Sequence, residues 1–123
     1  VHGAPGLDEV SPIGPTRVIE IRDGGMREWT IEPERYGFES PRAEHLAGGS
    51  PKENAEMVLS VLGGTASSGA TAAVVLNAAA AIYVSGAVRT FDEAVSAADA
   101  ATRDGTGLRA LERLRTAFAR SAA

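Results

Sequence analysis

The residues best suited to chemistry are two adjacent carboxylates, Asp8 and Glu9, set among Gly3, Gly6 and Gly14. Magnesium takes oxygen ligands and keeps several waters, so one or two carboxylates suffice when a substrate supplies phosphate oxygens. Successive side chains of an extended segment point to opposite sides, so both carboxylates can face one cation only if the chain turns. The glycines permit such a turn. Surface carboxylates are common, however, and residue chemistry alone favours a solvated acidic loop. His2, beside Gly3, is an acid–base candidate, although a structural hydrogen bond to a neighbouring loop is the better account of it. Ser11, Ser50 and the other serines lack the partner pattern of a nucleophile.

Two further sites look chemical and are better explained structurally. Gly48-Gly49-Ser50 ahead of a helix resembles an anion seat at a helix N-terminus. Ser50 followed by Glu53 is accounted for as a cap, and Glu53 would repel phosphate. Asn54 and Asn77 are polar positions within helical runs, and each is expected to hydrogen-bond backbone across a helix–loop junction.

The elements that must position these residues follow from patterning. Thr16 to Arg22 reads as a strand, with Val18, Ile19 and Ile21 supplying β propensity. Asp23-Gly24-Gly25 gives the freedom for a tight reversal into a return strand over 26–31. The stretch 33–49 shows no sustained period and is expected to be mostly loop. Ser50-Pro51-Lys52-Glu53 combines a capping box with proline at the first helical position. Ala55, Val58, Leu59 and Leu62 then form an apolar stripe that Gly63-Gly64 terminates. A second helix, from about Ser68 to Val84, is apolar nearly all round and should be central. Thr90-Phe91-Asp92-Glu93 opens a third, carrying Ala94, Val95, Ala98 and Ala101 and ending near Asp104-Gly105. Leu108, Leu111, Leu114 and Phe118 predict the buried stripe of a last helix.

Bulk properties bound the function. At 123 residues and 44% hydrophobic content the chain fits one compact α/β unit, not two domains. A net charge of −4 speaks against a nucleic-acid face, which needs a basic surface. Eleven of the twelve basic residues are arginine, and Arg109, Arg113, Arg115 and Arg120 read as the solvated side of a helix. The absence of cysteine removes disulfides, thiolate catalysis and Cys-ligated zinc, and suits a cytoplasmic setting. The stretch 70–87 is long enough for a membrane but built mainly from alanine, so a buried helix is expected instead. The opening Val1-His2-Gly3, with no initiator Met and no cap, suggests a fragment or processed product.

Three stretches in this order carry a family pattern: Val1-His2-Gly3-Ala4-Pro5-Gly6-Leu7-Asp8-Glu9, Leu46-Ala47-Gly48-Gly49-Ser50-Pro51-Lys52-Glu53-Asn54-Ala55 and Leu76-Asn77-Ala78-Ala79-Ala80-Ala81-Ile82-Tyr83. Together with Pro15-Thr16-Arg17-Val18-Ile19-Glu20, the set resembles the C-terminal segment of anthranilate phosphoribosyltransferases. The resemblance covers nearly the whole chain. It implies transfer of the phosphoribosyl group of phosphoribosyl diphosphate to anthranilate, with release of diphosphate, in tryptophan biosynthesis. It implies an α/β fold in which residues 1–123 form the C-terminal portion of the large domain, a β-hairpin followed by a helical run. The N-terminal helical domain and first part of the α/β domain, with the glycine-rich diphosphate loop, the Lys-His-Gly-Asn segment and the anthranilate-contacting arginine, have no counterpart here.

The resemblance makes Asp8 and Glu9 the magnesium carboxylates, the only recognised ligand-binding residues carried over, and assigns no catalytic residue. It also implies a homodimer joined through the helical domain. Alternatives are a related phosphoribosyltransferase with another acceptor, a nucleoside phosphorylase, which would not need a diphosphate metal site, and a non-catalytic binding module.

Overall fold

The computed structural model describes residues 1–38 and 41–121. Strands β1 (His2–Gly3), β2 (Thr16–Arg22) and β3 (Gly25–Ile31) make an antiparallel sheet in the order β1-β2-β3. Two short 3-10 turns, Pro33–Tyr36 and Ala43–Leu46, lead into four helices: α1 (Pro51–Leu62), α2 (Ser68–Val84), α3 (Phe91–Arg103) and α4 (Thr106–Ser121). The two turns add local structure to a stretch expected to be mostly loop.

The hairpin forms as the sequence predicts, with a shorter loop. Asp23 (φ 51°) and Gly24 (φ 76°) both occupy the left-handed region, and Arg22 already pairs with Gly25. This two-residue reversal matches the right-handed twist of the strands it joins. The β2–β3 register puts Thr16 opposite Ile31 and Val18 opposite Trp29, and Thr16, Val18 and Ile31 are buried. Ile19, Ile21 and Met26, on the other face, are 48%, 78% and 79% exposed.

One core joins sheet and helices. Val75, Leu76 and Ala79 of α2 are fully buried with Ala94 and Ala98 of α3, and Val10, Val18 and Ile31 belong to the same cluster. The alanines let the two helices approach closely, so the central position expected of α2 is observed. At the far end of α2, Tyr83 and Trp29 stack edge-on with Phe91 at centroid distances of 6.1 and 5.5 Å. There Glu20 accepts hydrogen bonds from Arg27 (2.6 Å), the Tyr83 hydroxyl (2.9 Å) and the Trp29 indole (3.1 Å), tying hairpin to helix. Tyr36 donates to Asp92 at 3.0 Å, and burial, reinforced by that carboxylate, pushes its phenol up to about 12.

Both expected capping boxes are present, Ser50 with Glu53 and Thr90 with Glu93, and Pro51 opens α1. Ser67 caps α2, which the residue pattern did not single out. No helix among the described residues is long and apolar enough to cross a membrane.

The stripe of α4 is not buried as expected, and that of α1 is largely open as well. In α1 only Val61 is buried, while Val58 and Leu59 are 49% and 37% exposed. The cause is a groove that separates the Met57, Val58 and Val61 side of α1 from Ala70, Ala73 and Val74 of α2. In α4, Leu114 and Phe118 are 55% and 71% exposed, because only the start of the helix packs, Gly107 lying against Leu62. An amphipathic pattern states which face is apolar, and nothing among the described residues covers these two.

Candidate functional site

The acidic pair lies in a loop that is knotted at both ends. On entry, Gly3 N–H donates to the Leu7 carbonyl at 2.8 Å, and the amides of Gly6 and Leu7 donate back to the Gly3 carbonyl at 2.8 and 2.7 Å. Gly6 turns with φ 141°, a conformation that other residues rarely adopt. Ala4 N–H donates to the Pro15 carbonyl at 2.9 Å, closing the loop across its base. The returning chain then passes directly over Gly3. A methyl group placed there would lie 2.6 Å from the Glu9 carbonyl oxygen and 2.8 Å from Ser11 Cβ.

On exit, the chain is held from α2. Val10 N–H donates to Asn77 Oδ1 at 2.9 Å, and Asn77 Nδ2 donates back to the Val10 carbonyl at 2.9 Å. The same Nδ2 reaches the Ala73 carbonyl of its own helix, also at 2.9 Å, which orients the amide. Ser11 follows, fully buried, its hydroxyl donating to the Ala4 carbonyl and its N–H to Thr16 Oγ1 at 2.9 Å. Ser11 is therefore part of the loop's internal bonding and no nucleophile. Asp8 and Glu9 are the two residues left between Leu7 and Val10.

Both acidic side chains are exposed, and neither takes a hydrogen bond or ion pair among the described residues. Glu20, Glu28 and Asp92, by contrast, are each engaged by arginine. Two unpaired carboxylates on a fixed backbone fit a hard divalent cation, provided that waters and substrate oxygens complete its shell. They do not make an all-protein cage: no group of three or more His, Cys, Asp or Glu among the described residues could hold a metal. Glu9, with Leu7 and Val10, lines the groove of about 510 Å³ between α1 and α2, whereas Asp8 is not among the residues that line it.

The remaining candidates have structural accounts. Three amides at the start of α1 are bonded from within: Gly49 N–H goes to Asn54 Oδ1 (2.8 Å), Ser50 N–H to Glu53 Oε2 (2.8 Å) and Glu53 N–H to Ser50 Oγ (3.4 Å). The hydrogen bonds from Ser50 hold the Glu53 carboxyl below the usual carboxylate range. No amide of Gly49, Ser50 or Glu53 is left to receive an anion. Asn54 also returns a bond to the Gly49 carbonyl at 3.1 Å, so both asparagines do bond backbone as expected. The His2 side chain is exposed, lines a recess with Arg17 and Glu28, and takes no hydrogen bond or ion pair among the described residues. The expected loop bond is not formed.

Two features escaped the residue pattern. The groove arises from the spacing of helices, which no local motif encodes. The partner of Asn77 was also hidden, although a lone amide within Leu76-Asn77-Ala78, in an otherwise apolar helix, signals that some polar contact must exist.

The chain resembles known proteins along most of its length. It is 40% identical over 113 residues to the anthranilate phosphoribosyltransferase of Rubrobacter xylanophilus, covering 92% of this chain and 33% of that protein. The enzyme of Bacillus subtilis is 39% identical over 115 residues, covering 94% and 34%. The chain thus spans about a third of the length of these curated relatives. Among solved structures, the anthranilate phosphoribosyltransferase of Thermus thermophilus superposes with a TM-score of 0.78 at 32% identity, covering 89% of this chain and 32% of that one. That of Saccharomyces cerevisiae in complex with 4-fluoroanthranilate gives 0.77 at 31% identity, covering 90% and 32%. A variant of the yeast enzyme with Mg bound gives 0.78. Residues 1–108 match the glycosyl transferase family, a/b domain, and with the sheet and helices described above the chain belongs to that family.

Proposed function

We propose that this chain is the C-terminal portion of the large α/β domain of an anthranilate phosphoribosyltransferase, and that Asp8 and Glu9 hold its magnesium against the diphosphate of phosphoribosyl diphosphate. The observation that carries the reading is the acidic pair itself, two carboxylates unpaired among the described residues on a backbone bonded at Leu7 and at Val10. A relative whose structure has Mg bound, and one in complex with 4-fluoroanthranilate, support both the cation and the acceptor class. The magnesium would supply charge neutralisation as diphosphate departs.

The chain's own contribution is positioning. The knot at Gly3 and the bonds to Asn77 fix the backbone that bears the carboxylates before substrate arrives, so little reorganisation remains for the transition state. The reaction is a displacement at the sugar carbon through an oxocarbenium-like state, and no general base is assigned within residues 1–123. The glycine-rich diphosphate loop and the acceptor site belong to upstream segments on this reading. A homodimer formed through the helical domain, a cytoplasmic setting and a place in tryptophan biosynthesis are parts of the same proposal.

The test is Asp8→Asn with Glu9→Gln in the full-length polypeptide. Turnover at limiting magnesium falls at least tenfold, and the magnesium concentration for half-maximal rate rises. A magnesium dependence identical to that of the unaltered enzyme refutes the assignment.

A further inference from the structure

Of the side chains that touch the acidic loop, one belongs to a distant element and bonds its backbone twice. Asn77 lies 67 positions from Val10 in sequence, on the central helix α2. Its amide satisfies both backbone groups of Val10, the residue immediately after Glu9, at 2.9 Å each. A third bond, from Nδ2 to the Ala73 carbonyl, leaves the amide one orientation in which both Val10 bonds form. Val10 is 1% exposed, so water cannot readily replace these partners. The neighbours of Asn77 along the helix, Leu76 and Ala79, are fully buried in the core, so the amide rides on a rigid support.

We infer that Asn77 is a positioning residue for the cation site: its paired hydrogen bonds to Val10 hold the Glu9 end of the acidic loop in the conformation that binds a divalent metal with diphosphate. The inference rests on the assignment of Asp8 and Glu9 as metal carboxylates, and goes beyond it by adding a residue that touches neither metal nor substrate. The geometry supports a role through backbone placement. Residues 3–7 close on themselves, so the turn before Asp8 survives without α2, whereas among the described residues Val10 N–H and C=O bond only to Asn77. Releasing Val10 frees the Glu9 backbone at that end alone.

The experiment uses the full-length polypeptide and three measurements. Manganese affinity in the presence of inorganic diphosphate is read by electron paramagnetic resonance, amide exchange of the 7–11 segment by mass spectrometry, and folding by thermal unfolding. For Asn77→Ala, manganese binding weakens at least tenfold and exchange of the 7–11 segment accelerates while the remainder of the chain stays protected. Asn77→Ser, whose short hydroxyl cannot reach both Val10 groups, shows the same direction and covers the case in which the alanine variant fails to fold. Tyr83→Phe is the matched comparison, since it removes another bond from α2 to the sheet, that to Glu20 at 2.9 Å, away from the loop. It lowers thermal stability and leaves manganese affinity within twofold.

The outcomes separate the two readings. If Asp8→Asn with Glu9→Gln abolishes manganese binding while both Asn77 variants bind as tightly as the unaltered protein, the positioning role is overturned and the metal assignment stands. If the double carboxylate variant binds manganese normally, the assignment itself fails and the positioning role falls with it. A loss in Tyr83→Phe equal to that in Asn77→Ala shows a general effect of stability and also overturns the inference.

Discussion

Gly3→Ala is the perturbation whose size the structure sets most directly. The new methyl would stand 2.6 Å from the Glu9 carbonyl oxygen, 2.8 Å from Ser11 Cβ and 3.0 Å from Ser11 N, all on or next to backbone with no flexible end to swing aside. Ordinary contact begins at 3.4 Å, so the two chain segments must part by about 0.8 Å. The hydrogen bond from the Ser11 hydroxyl to the Ala4 carbonyl, which joins the same two segments, would stretch beyond the ordinary range. Overpacking of this kind costs roughly 1–3 kcal/mol and a lost hydrogen bond about 1 kcal/mol. The sum is a destabilisation of about 2–4 kcal/mol. Urea unfolding of the chain, followed by the fluorescence of its single tryptophan, Trp29, should show a lowered midpoint with an unchanged slope. Gly25→Ala is the comparison, since its methyl meets only the Arg22 carbonyl at 3.4 Å and should change stability by less than about 0.5 kcal/mol. Equal midpoints for the two variants would mean that the loop does not pass over Gly3 in solution.

Two more outcomes test other parts of the fold. The hydrogen bond from Arg27, then that from Tyr83, hold the Glu20 carboxyl below the ordinary carboxylate range against the opposing effect of burial. Because the folded value is depressed, this group's stabilisation is present above the ordinary range and is lost as pH falls through the lowered value. Glu20→Gln therefore flattens the acid limb of an unfolding-versus-pH curve, and an acid limb identical to that of the parent would exclude the arrangement. On α4, Phe118 is 71% exposed, so Phe118→Ala should change the chain's stability by less than about 0.5 kcal/mol. A buried phenylalanine would cost roughly 3–5 kcal/mol, and a loss of that size in calorimetry would show that the face is covered.

What could be read in the sequence was what neighbours along the chain decide. Ser50 with Glu53 and Thr90 with Glu93 lie three positions apart, and Asp23-Gly24 reverses the chain on its own. The α2 helix was legible because an all-round apolar composition admits only one place for it. The stripes of α1 and α4 misled because periodicity identifies an apolar face without identifying a cover. Val58 and Phe118 are apolar at the right spacing and still stand open to the groove or to solvent. In the candidate site, Asp8 and Glu9 could be singled out with their glycines, and Asn77 as an amide seeking backbone. That Asn77 and the acidic loop meet depends on how α2 packs beneath the sheet, which local pattern cannot express.

The 67-residue span between Val10 and Asn77 also orders events as the chain is made. The turn at residues 3–7 and the hairpin draw on short-range pairings and can form early. The exit of the acidic loop cannot take its final course until α2 has been synthesised and docked. A nascent or clipped polypeptide ending before that helix would keep its hairpin yet present Glu9 on a slack tether, so on the proposed reading competence to capture a cation would arrive only with the helical half.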